Sequence, residues 1–223
     1  MITLKNVTKR YELNKVDTVT AVEDINITFN EGEIIVLKGA SGSGKSTILS
    51  LIAALSKPTS GEVIVDNKQI SKLPDNFASV YRRDNIGFIF QKYNLIPNIS
   101  VQENIVTPLI PLNLNAEELQ RKLHYVMKMY KIEHKQETLV RNLSGGEQQR
   151  VAIARANVNN PKIIIADEPT ANLDEKLSLH FIEMLRELKA LGKTIIIATH
   201  DPLFFDLDLV DREIEVHNGK LLL

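Results

Sequence analysis

The stretch GASGSGKS, from Gly39 to Ser46, combines three glycines with a lysine and a serine in the pattern G-x-x-x-x-G-K-[ST]. Glycines let consecutive backbone N–H groups converge on an anion, and the N-terminus of a following helix adds partial positive charge. Lys45 would place its charge on the β- and γ-phosphates of a nucleotide, and Ser46 would offer its hydroxyl to Mg²⁺, which prefers hard oxygen ligands. A flexible glycine turn would need neither side chain. The predicted phosphate-binding residues are Gly39, Ala40, Ser41, Gly42, Ser43, Gly44, Lys45, Ser46 and Thr47.

Two adjacent carboxylates, Asp167 and Glu168, follow a run of three isoleucines and an alanine. A buried strand that ends in this way places its last side chains at the edge of an open α/β sheet where ligands bind. Asp167 is predicted to hold Mg²⁺ through water, and Glu168 to orient and polarise the water that attacks the γ-phosphate. His200 closes the next isoleucine run and could reach the γ-phosphate from the same edge, although a histidine there can equally be structural.

A second motif, NLSGGEQQR, carries a further signal. Ser144 and Glu147 have the spacing of a capping box at a helix N-terminus. A capping box does not require Gly145 and Gly146, each of which costs a helix roughly 1 kcal/mol relative to alanine. Bare backbone at a helix N-terminus is another anion site. Because nothing else indicates two nucleotide domains, we predict that this site serves the nucleotide of another copy in a symmetric dimer.

The elements around these motifs predict an α/β protein. Strand-like segments fill the first third of the chain, and a helix over about 43–55 follows the glycine-rich loop. The runs PKIIIADEPT and GKTIIIATHD are typical of strands buried on both faces of a parallel sheet. Another amphipathic helix is predicted over about 116–133. The helix between the two isoleucine runs should stop at Gly192 and carry an apolar stripe of Leu177, Phe181, Met184, Leu188 and Leu191.

Composition excludes several function classes. The chain has 223 residues, 25% of them charged and 43% hydrophobic, which suits one globular domain. A net charge of -1 gives no reason to expect nucleic acid, and the lack of cysteine excludes disulfides and thiolate metal sites. The first residues lack the pattern of a secretory signal, and no apolar run reaches the roughly 18 to 20 residues that cross a bilayer. We therefore expect a cytoplasmic protein that reaches a membrane only through a partner.

The motifs GASGSGKS, LSGGEQQR, IIIADE and ATHD, in this order along the chain, resemble the Walker A, signature, Walker B and switch motifs of ABC-transporter ATPase subunits. The resemblance covers essentially the whole chain. It implies a P-loop NTPase core with a mostly parallel sheet, an N-terminal antiparallel β subdomain and an inserted α-helical subdomain. Within one domain over 1–223, the core and antiparallel parts are expected at about 1–91 and 156–223, and the helical subdomain at about 92–155.

The resemblance also assigns roles to single residues. Tyr11 matches the aromatic residue that stacks on adenine, although a tyrosine at a strand end is also ordinary packing. Gln91 matches the Q-loop glutamine, which reaches Mg²⁺ and the attacking water, and Asp174 matches the D-loop aspartate that crosses the dimer interface. Many members carry glutamine where this chain has Glu147.

Taken together, the expected site has three parts. The catalytic residues are Glu168, His200, Gln91 and Lys45. Mg²⁺ would be held by Ser46, Gln91 and Asp167. Beyond the glycine-rich loop, contacts to ATP from either copy are expected from Tyr11, Ser144, Gly145, Gly146, Glu147 and Asp174.

Within this family the motifs look most like the subfamily that serves lipoprotein-releasing systems, macrolide-type exporters and the cell-division transporter-like complex. The resemblance implies ATP hydrolysis in a head-to-tail homodimer that closes on ATP. It also implies an integral membrane permease as partner, at the cytoplasmic face of the inner membrane. The segment over 92–105 is either packing under the helical subdomain or part of a groove for a permease helix.

Two other function classes use similar phosphate chemistry. A non-transport ABC ATPase that clamps DNA or ribosomes typically has long coiled coils or zinc modules between the Walker A and signature motifs. Here that interval is short, lacks sustained heptads and contains no cysteine. A P-loop kinase or GTPase would leave the signature unexplained. A transport ATPase is therefore the leading hypothesis, with the clamp as the alternative.

Overall fold

A computed structural model describes residues 1–12, 14, 17–171 and 173–222. Its strands, in chain order, are β1 (Ile2–Glu12), β2 (Thr18–Phe29), β3 (Ile34–Lys38), β4 (Ser60–Val65), β5 (Lys68–Gln69), β6 (Ile86–Ile89), β7 (Ile163–Asp167), β8 (Thr194–Thr199), β9 (Arg212–His217) and β10 (Lys220–Leu222). Its α-helices are α1 (Lys45–Ile52), α2 (Asp75–Asn85), α3 (Val101–Val106), α4 (Ala116–Met129), α5 (Gly145–Asn157) and α6 (Glu175–Ala190). Short 3₁₀ segments lie at Thr107–Leu112, Glu133–Lys135, Val140–Asn142 and Pro202–Phe204.

The strands form two sheets. An antiparallel sheet has the order β2–β1–β4–β5. The second sheet has the order β10–β9–β3–β8–β7–β6 and is parallel except for β10. Helices α3, α4 and α5 lie between β6 and β7 in the chain. The predicted α/β class, with a mostly parallel sheet, an N-terminal antiparallel sheet and inserted helices, is confirmed.

The central strands β3, β7 and β8 are buried on both faces, as their continuous apolar runs predict. Consecutive side chains alternate between two hydrophobic cores. Ile34 and Val36 belong to a core with residues of α3 to α6, whereas Ile35 and Leu37 belong to a core with the antiparallel sheet and α1. Each such side chain contributes about 1.5–3 kcal/mol through burial.

The helix ends agree with the sequence in part. Helix α6 stops before Gly192, which has φ +74°. Leu191, however, is 55% exposed, because it follows the last helical residue, and Leu185 completes the buried face instead. Helix α4 ends earlier than predicted, since Lys131 adopts φ +54°.

Several elements had no counterpart in the sequence prediction, namely α2, β6, β9 and β10. The boundaries of the helical subdomain at about 92 and 155 stay a prediction. Among the helices that the structure describes, none combines the length and apolarity needed to cross a membrane.

Candidate nucleotide-binding site

The glycine-rich loop joins β3 to α1, and its conformation depends on glycine. Gly44, the N-cap of α1, has φ +110°, and a Cβ added there would lie 2.6 Å from the Ala21 carbonyl oxygen. The turn between β9 and β10 also contacts the loop. The Gly219 N–H donates to the Ser43 carbonyl at 2.8 Å, and the Gly219 carbonyl accepts from the Glu23 N–H at 2.8 Å. The loop is therefore held by segments from both ends of the chain.

The ends of three neighbouring strands meet beside this loop. In the parallel register Lys38 lies opposite Thr199, and Asp167 lies opposite Ala198. The carboxyl ends of β3, β8 and β7 are therefore level at one edge of the sheet, where open α/β sheets bind ligands.

An open cleft of about 290 Å³ lies at this edge. It brings together the loop, the end of β6, the ends of β7 and β8, and the start of β2. The described residues that line it are Val19, Thr20, Ala21, Ser41, Gly42, Ser43, Gly44, Lys45, Ser46, Thr47, Gln91, Glu168 and His200.

Lys45 is buried, with 4% of its side chain exposed. Its Nζ donates to the carbonyls of Gly39 and Ala40 at 2.6 and 3.0 Å, and lies 3.6 Å from Glu168 Oε1. These contacts hold the ammonium group inside the loop, at the position where a polyphosphate would need a counter-charge.

Two of the three predicted metal ligands are in contact, because Ser46 Oγ donates to Asp167 Oδ1 at 2.9 Å. Burial raises the pKa of the Asp167 carboxyl, and the nearby Glu168 adds to this, while Ser46 and Lys45 oppose it. A cation bound there would favour the charged carboxylate. One hydroxyl and one carboxylate suit Mg²⁺, which commonly takes few protein ligands and completes its shell with phosphate oxygens and water.

Glu168 receives four contacts. The first is the contact with Lys45 Nζ given above, and the second is with His200 Nδ1, which lies 3.0 Å from Glu168 Oε1. Glu168 Oε2 accepts the other two, from Thr199 Oγ1 at 3.1 Å and from the His200 N–H at 3.3 Å. Its backbone has φ +45° and its N–H donates to the Ala198 carbonyl at 2.8 Å. A non-glycine residue in this conformation costs about 1–3 kcal/mol, a strain that is typical of functional sites.

The structure brings Gln91 and His200 to the cleft but places Tyr11 beside it. Tyr11 is not one of the described residues that line the cleft. It pairs with Val19, which lines the cleft. The residue is 41% exposed, and Lys9 Nζ lies 4.9 Å from the centroid of its ring.

Sequence reasoning missed Thr199, which contacts Glu168. Thr199 is fully buried, and its hydroxyl both donates to Glu168 and accepts from the Asp201 N–H at 3.0 Å. Its position between the isoleucine run and His200 is the feature of the sequence that could have identified it as a site residue.

The second predicted anion site forms the N-terminus of α5, and its capping box is confirmed. Ser144 Oγ accepts from the Glu147 N–H at 3.4 Å, and Glu147 Oε2 accepts from the Ser144 N–H at 2.8 Å. The Ser144 backbone N–H, the Ser144 hydroxyl and Lys135 lower the pKa of Glu147 to about 2. Ser144 and Gly145 are exposed, whereas Gly146 is buried against α6. Of the residues described as lining the cleft, none comes from this site.

Asp174 is the N-cap of α6. Its side chain accepts from the Leu177 N–H at 2.8 Å, and the residue is exposed. It too lies outside the described lining of the cleft.

Residues 22–171 match the family described as ABC transporter. MJ0796 of Methanocaldococcus jannaschii, an uncharacterized ABC transporter ATP-binding protein, is 45% identical over 206 residues, which cover 90% of this chain and 87% of that protein. The dimeric structure of MJ0796 in a post-hydrolysis state, bound to ADP and Pi, matches with a TM-score of 0.91 at 41% identity and covers 99% of this chain and 96% of that one.

Two relatives have names that state a transport system. The lipoprotein-releasing system ATP-binding protein LolD of Blochmanniella floridana is 40% identical over 197 residues, covering 88% of this chain and 83% of that protein. The macrolide export ATP-binding/permease protein MacB of Campylobacter jejuni is 36% identical over 222 residues, covering 100% of this chain but 34% of that protein. The predicted resemblance to this subfamily is confirmed, and the clamp alternative is not favoured. Since the matched family spans most of the chain and close relatives cover nearly all of it, the chain belongs to the ABC transporter family and is an ATP-binding, ATP-hydrolysing subunit.

Proposed function

We propose that this subunit works as a homodimer in which the cleft of one copy faces the N-terminus of α5 in the other. The observation that carries the proposal is the separation, within one chain, of two features that suit phosphate. The cleft contains Lys45 and Glu168, whereas the capped and exposed turn at Ser144 and Gly145 lies outside it. MJ0796, which is similar over nearly its whole length, forms a dimer bound to ADP and Pi. ATP would lie between the two surfaces, with closure on ATP and opening after hydrolysis.

The chemistry proposed for the cleft is transfer of the γ-phosphoryl group to water. Such a reaction depends on positioning and on charge stabilisation more than on covalent chemistry. Lys45 neutralises phosphate charge, Glu168 orients and polarises the attacking water, and His200 contacts the γ-phosphate. Thr199 and the His200 backbone N–H hold the Glu168 carboxylate in place. Gln91 would connect the site to the helices between β6 and β7.

Mg²⁺ would be held by Ser46 and Asp167, with Gln91 close to it. When bound, the cation offsets negative charge on the phosphates. The other proposed contacts to ATP are Tyr11 at the adenine, the glycine-rich loop at the phosphates, and Gly146, Glu147 and Asp174 at the interface between copies.

The partner that the proposed function requires is an integral membrane permease, which would hold this subunit at the cytoplasmic face of the membrane. A groove of about 280 Å³ offers a place for one of its helices. The rings of Phe88 and Phe90 stack in it at 4.2 Å between centroids, and its arginines favour a helix that carries carboxylates. The described lining residues are Arg82, Arg83, Ile86, Phe88, Phe90, Asn94, Pro108, Arg155, Ala156 and Asn159.

Sequence analysis gave two interpretations of the segment over 92–105, namely packing under the helical subdomain or part of a groove for a permease helix. Little of this segment lines the groove described here. Leu95 packs against the core and Val101 is fully buried, as the packing interpretation predicts. Ile96 and Pro97 are exposed, yet neither is among the described residues of the groove. Asn94 is the member of the segment that lines it.

The proposed function is tested with Glu168→Gln. The variant is expected to bind ATP, to lose at least about 100-fold in turnover, and to form a dimer in Mg-ATP but not in Mg-ADP. Turnover is measured by phosphate release, and the dimer by analytical ultracentrifugation. Glu183→Gln, which changes an exposed carboxylate on α6, is the control and should behave as the wild type. Wild-type turnover in Glu168→Gln, or the lack of an ATP-dependent dimer, would contradict the proposal.

A further inference from the structure

Helix α5 is attached to the segment that follows β7 in its own chain. The side chain of Gln149 is buried, with 2% of the residue exposed, and its Nε2 donates to the Pro169 carbonyl at 2.8 Å. Pro169 directly follows Glu168. A side chain from the first turns of α5 therefore fixes the backbone next to the catalytic carboxylate.

A second contact lies nearby. Gly146 packs against Leu177 in the first turn of α6, and a Cβ added to Gly146 would lie 2.8 Å from both δ-carbons of Leu177. Leu177 in turn donates its N–H to Asp174. The N-terminus of α5 thus contacts its own chain on both sides of the loop between Glu168 and Leu177.

Two other hydrogen bonds join this loop to the segment that carries His200. The Glu168 N–H donates to Ala198 in β8, and Thr170 Oγ1 donates to Asp201 Oδ2 at 2.7 Å. Both partners belong to the strand and loop that carry His200, which is in the same nucleotide site. The hydrogen bond from Gln149 differs from these two because it comes from the helix that would face the other nucleotide.

We propose that Gln149 is a positioning residue that links the two nucleotide sites. The N-terminus of α5 completes the nucleotide site of the other copy. Through Gln149, the position of α5 sets the position of Glu168 in the site of its own chain. The inference rests on the proposed dimer. When α5 moves onto the nucleotide of the partner, the hydrogen bond to Pro169 moves the Glu168 backbone with it. Because a misplacement of about 1 Å in a catalytic group can cost on the order of 100-fold in rate, this link is strong enough to control turnover.

The neighbouring residue provides a matched control. Gln148 lies on the same helix turn, and its Nε2 also donates to a backbone carbonyl, that of Leu143 at 3.1 Å. Leu143 precedes α5 itself, so loss of this bond leaves the loop after β7 untouched. Gln148→Leu and Gln149→Leu therefore remove the same chemical group and the same kind of hydrogen bond from one helix.

The test compares steady-state ATP hydrolysis by the two variants with ATP binding to the monomer. For Gln149→Leu we expect kcat to fall at least about ten-fold, while KM and the Kd of the monomer for ATP stay within about two-fold of wild type. Gln148→Leu should keep kcat within about two-fold. In the Glu168→Gln background, Gln149→Leu should change the residual turnover less than about two-fold, because it acts through Glu168. Gln149→Asn, one methylene too short to reach Pro169, should give the same pattern and serves if the leucine variant does not fold.

Equal kcat values for Gln148→Leu and Gln149→Leu overturn the inference, and so does a further loss of turnover on adding Gln149→Leu to Glu168→Gln. Either result leaves the proposed function standing if Glu168→Gln still forms an ATP-dependent dimer. Absence of that dimer overturns both.

Discussion

Glu147 lies in the first turn of α5, and its contact with Lys135 depends on its charge. Its Oε2 accepts from the backbone N–H and the hydroxyl of Ser144 at 2.8 and 2.9 Å, and its Oε1 lies 3.1 Å from Lys135 Nζ. The pKa of the carboxyl falls from its ordinary value of 4.5 to about 2. One side chain therefore caps α5 and joins it to the 3₁₀ segment at Glu133–Lys135.

This shift predicts a pH-dependent contribution to stability. Because the pKa is lower in the folded state, the contribution is complete above pH 4.5 and is lost as the pH falls toward 2. Glu147→Gln keeps an acceptor for the cap but cannot titrate or pair with Lys135. We expect it to be less stable than wild type by about 1 kcal/mol at pH 7, with the difference vanishing as the pH falls to about 2 and below. Urea unfolding across this pH range measures the difference, and a difference independent of pH would contradict the prediction.

At the scale of elements, the site is made by the ends of strands and the starts of helices. Strands β3, β7 and β8 end level at one edge of the sheet. Helix α1 begins in the phosphate loop, and α5 begins in the signature. Helices α5 and α6 meet where Gly146 contacts Leu177. Glycine at position 146 permits a close approach between the two helices. This contact gives a reason for the glycine, which the capping box does not require.

This contact predicts that Gly146→Ala acts by steric clash with Leu177 and that a smaller residue at position 177 restores activity. The added methyl group should push the start of α5 away from Leu177 and lower ATP hydrolysis about ten-fold. Leu177→Ala makes room, so the double variant should recover to within about three-fold of Leu177→Ala alone. Steady-state hydrolysis by the four proteins measures this recovery. If the double variant stays as inactive as Gly146→Ala, the glycine is needed for another reason, such as backbone contact with the nucleotide.

At the scale of the whole molecule, the groove proposed for the permease lies between parts that are distant in sequence. Its residues come from α2, β6 and its exit, a 3₁₀ segment, and the end of α5. Arg155 ties two of these parts together, since its guanidinium donates to the carbonyls of Tyr93 and Asn94 at 2.6 Å each. Movement of the helices between β6 and β7 would therefore change the shape of the groove.

The position of Phe90 in the groove predicts that binding of the permease depends on this side chain. Tagged Glu168→Gln protein in Mg-ATP is expected to retain one integral membrane protein, in roughly equal amount, from detergent-solubilised membranes of its host. Phe90→Ala in that background should reduce recovery at least about ten-fold, because it removes an aromatic group from the groove. Tyr125→Ala, which truncates a 60% exposed ring on α4 outside the groove, is the control. Mass spectrometry identifies and quantifies the retained protein. Equal recovery with both variants would exclude this groove as the docking site.

The sequence alone predicted the chemistry of the site because that chemistry is encoded locally. The spacing of glycines around Lys45, the carboxylates after the isoleucine run and the pair Ser144 and Glu147 each act within one loop or one helix turn. Burial of β3, β7 and β8 on both faces also follows from local pattern, since a short unbroken run rich in β-branched residues indicates a strand that is covered on both faces.

Only the tertiary structure decided which of these pieces meet. It placed Thr199 against Glu168, the turn at Gly219 against the phosphate loop, and Gln149 against Pro169. These contacts join residues from different elements, so no periodicity or motif within one segment marks them. Strand order is the physical reason, because β8 pairs between β3 and β7 although it follows both in the chain.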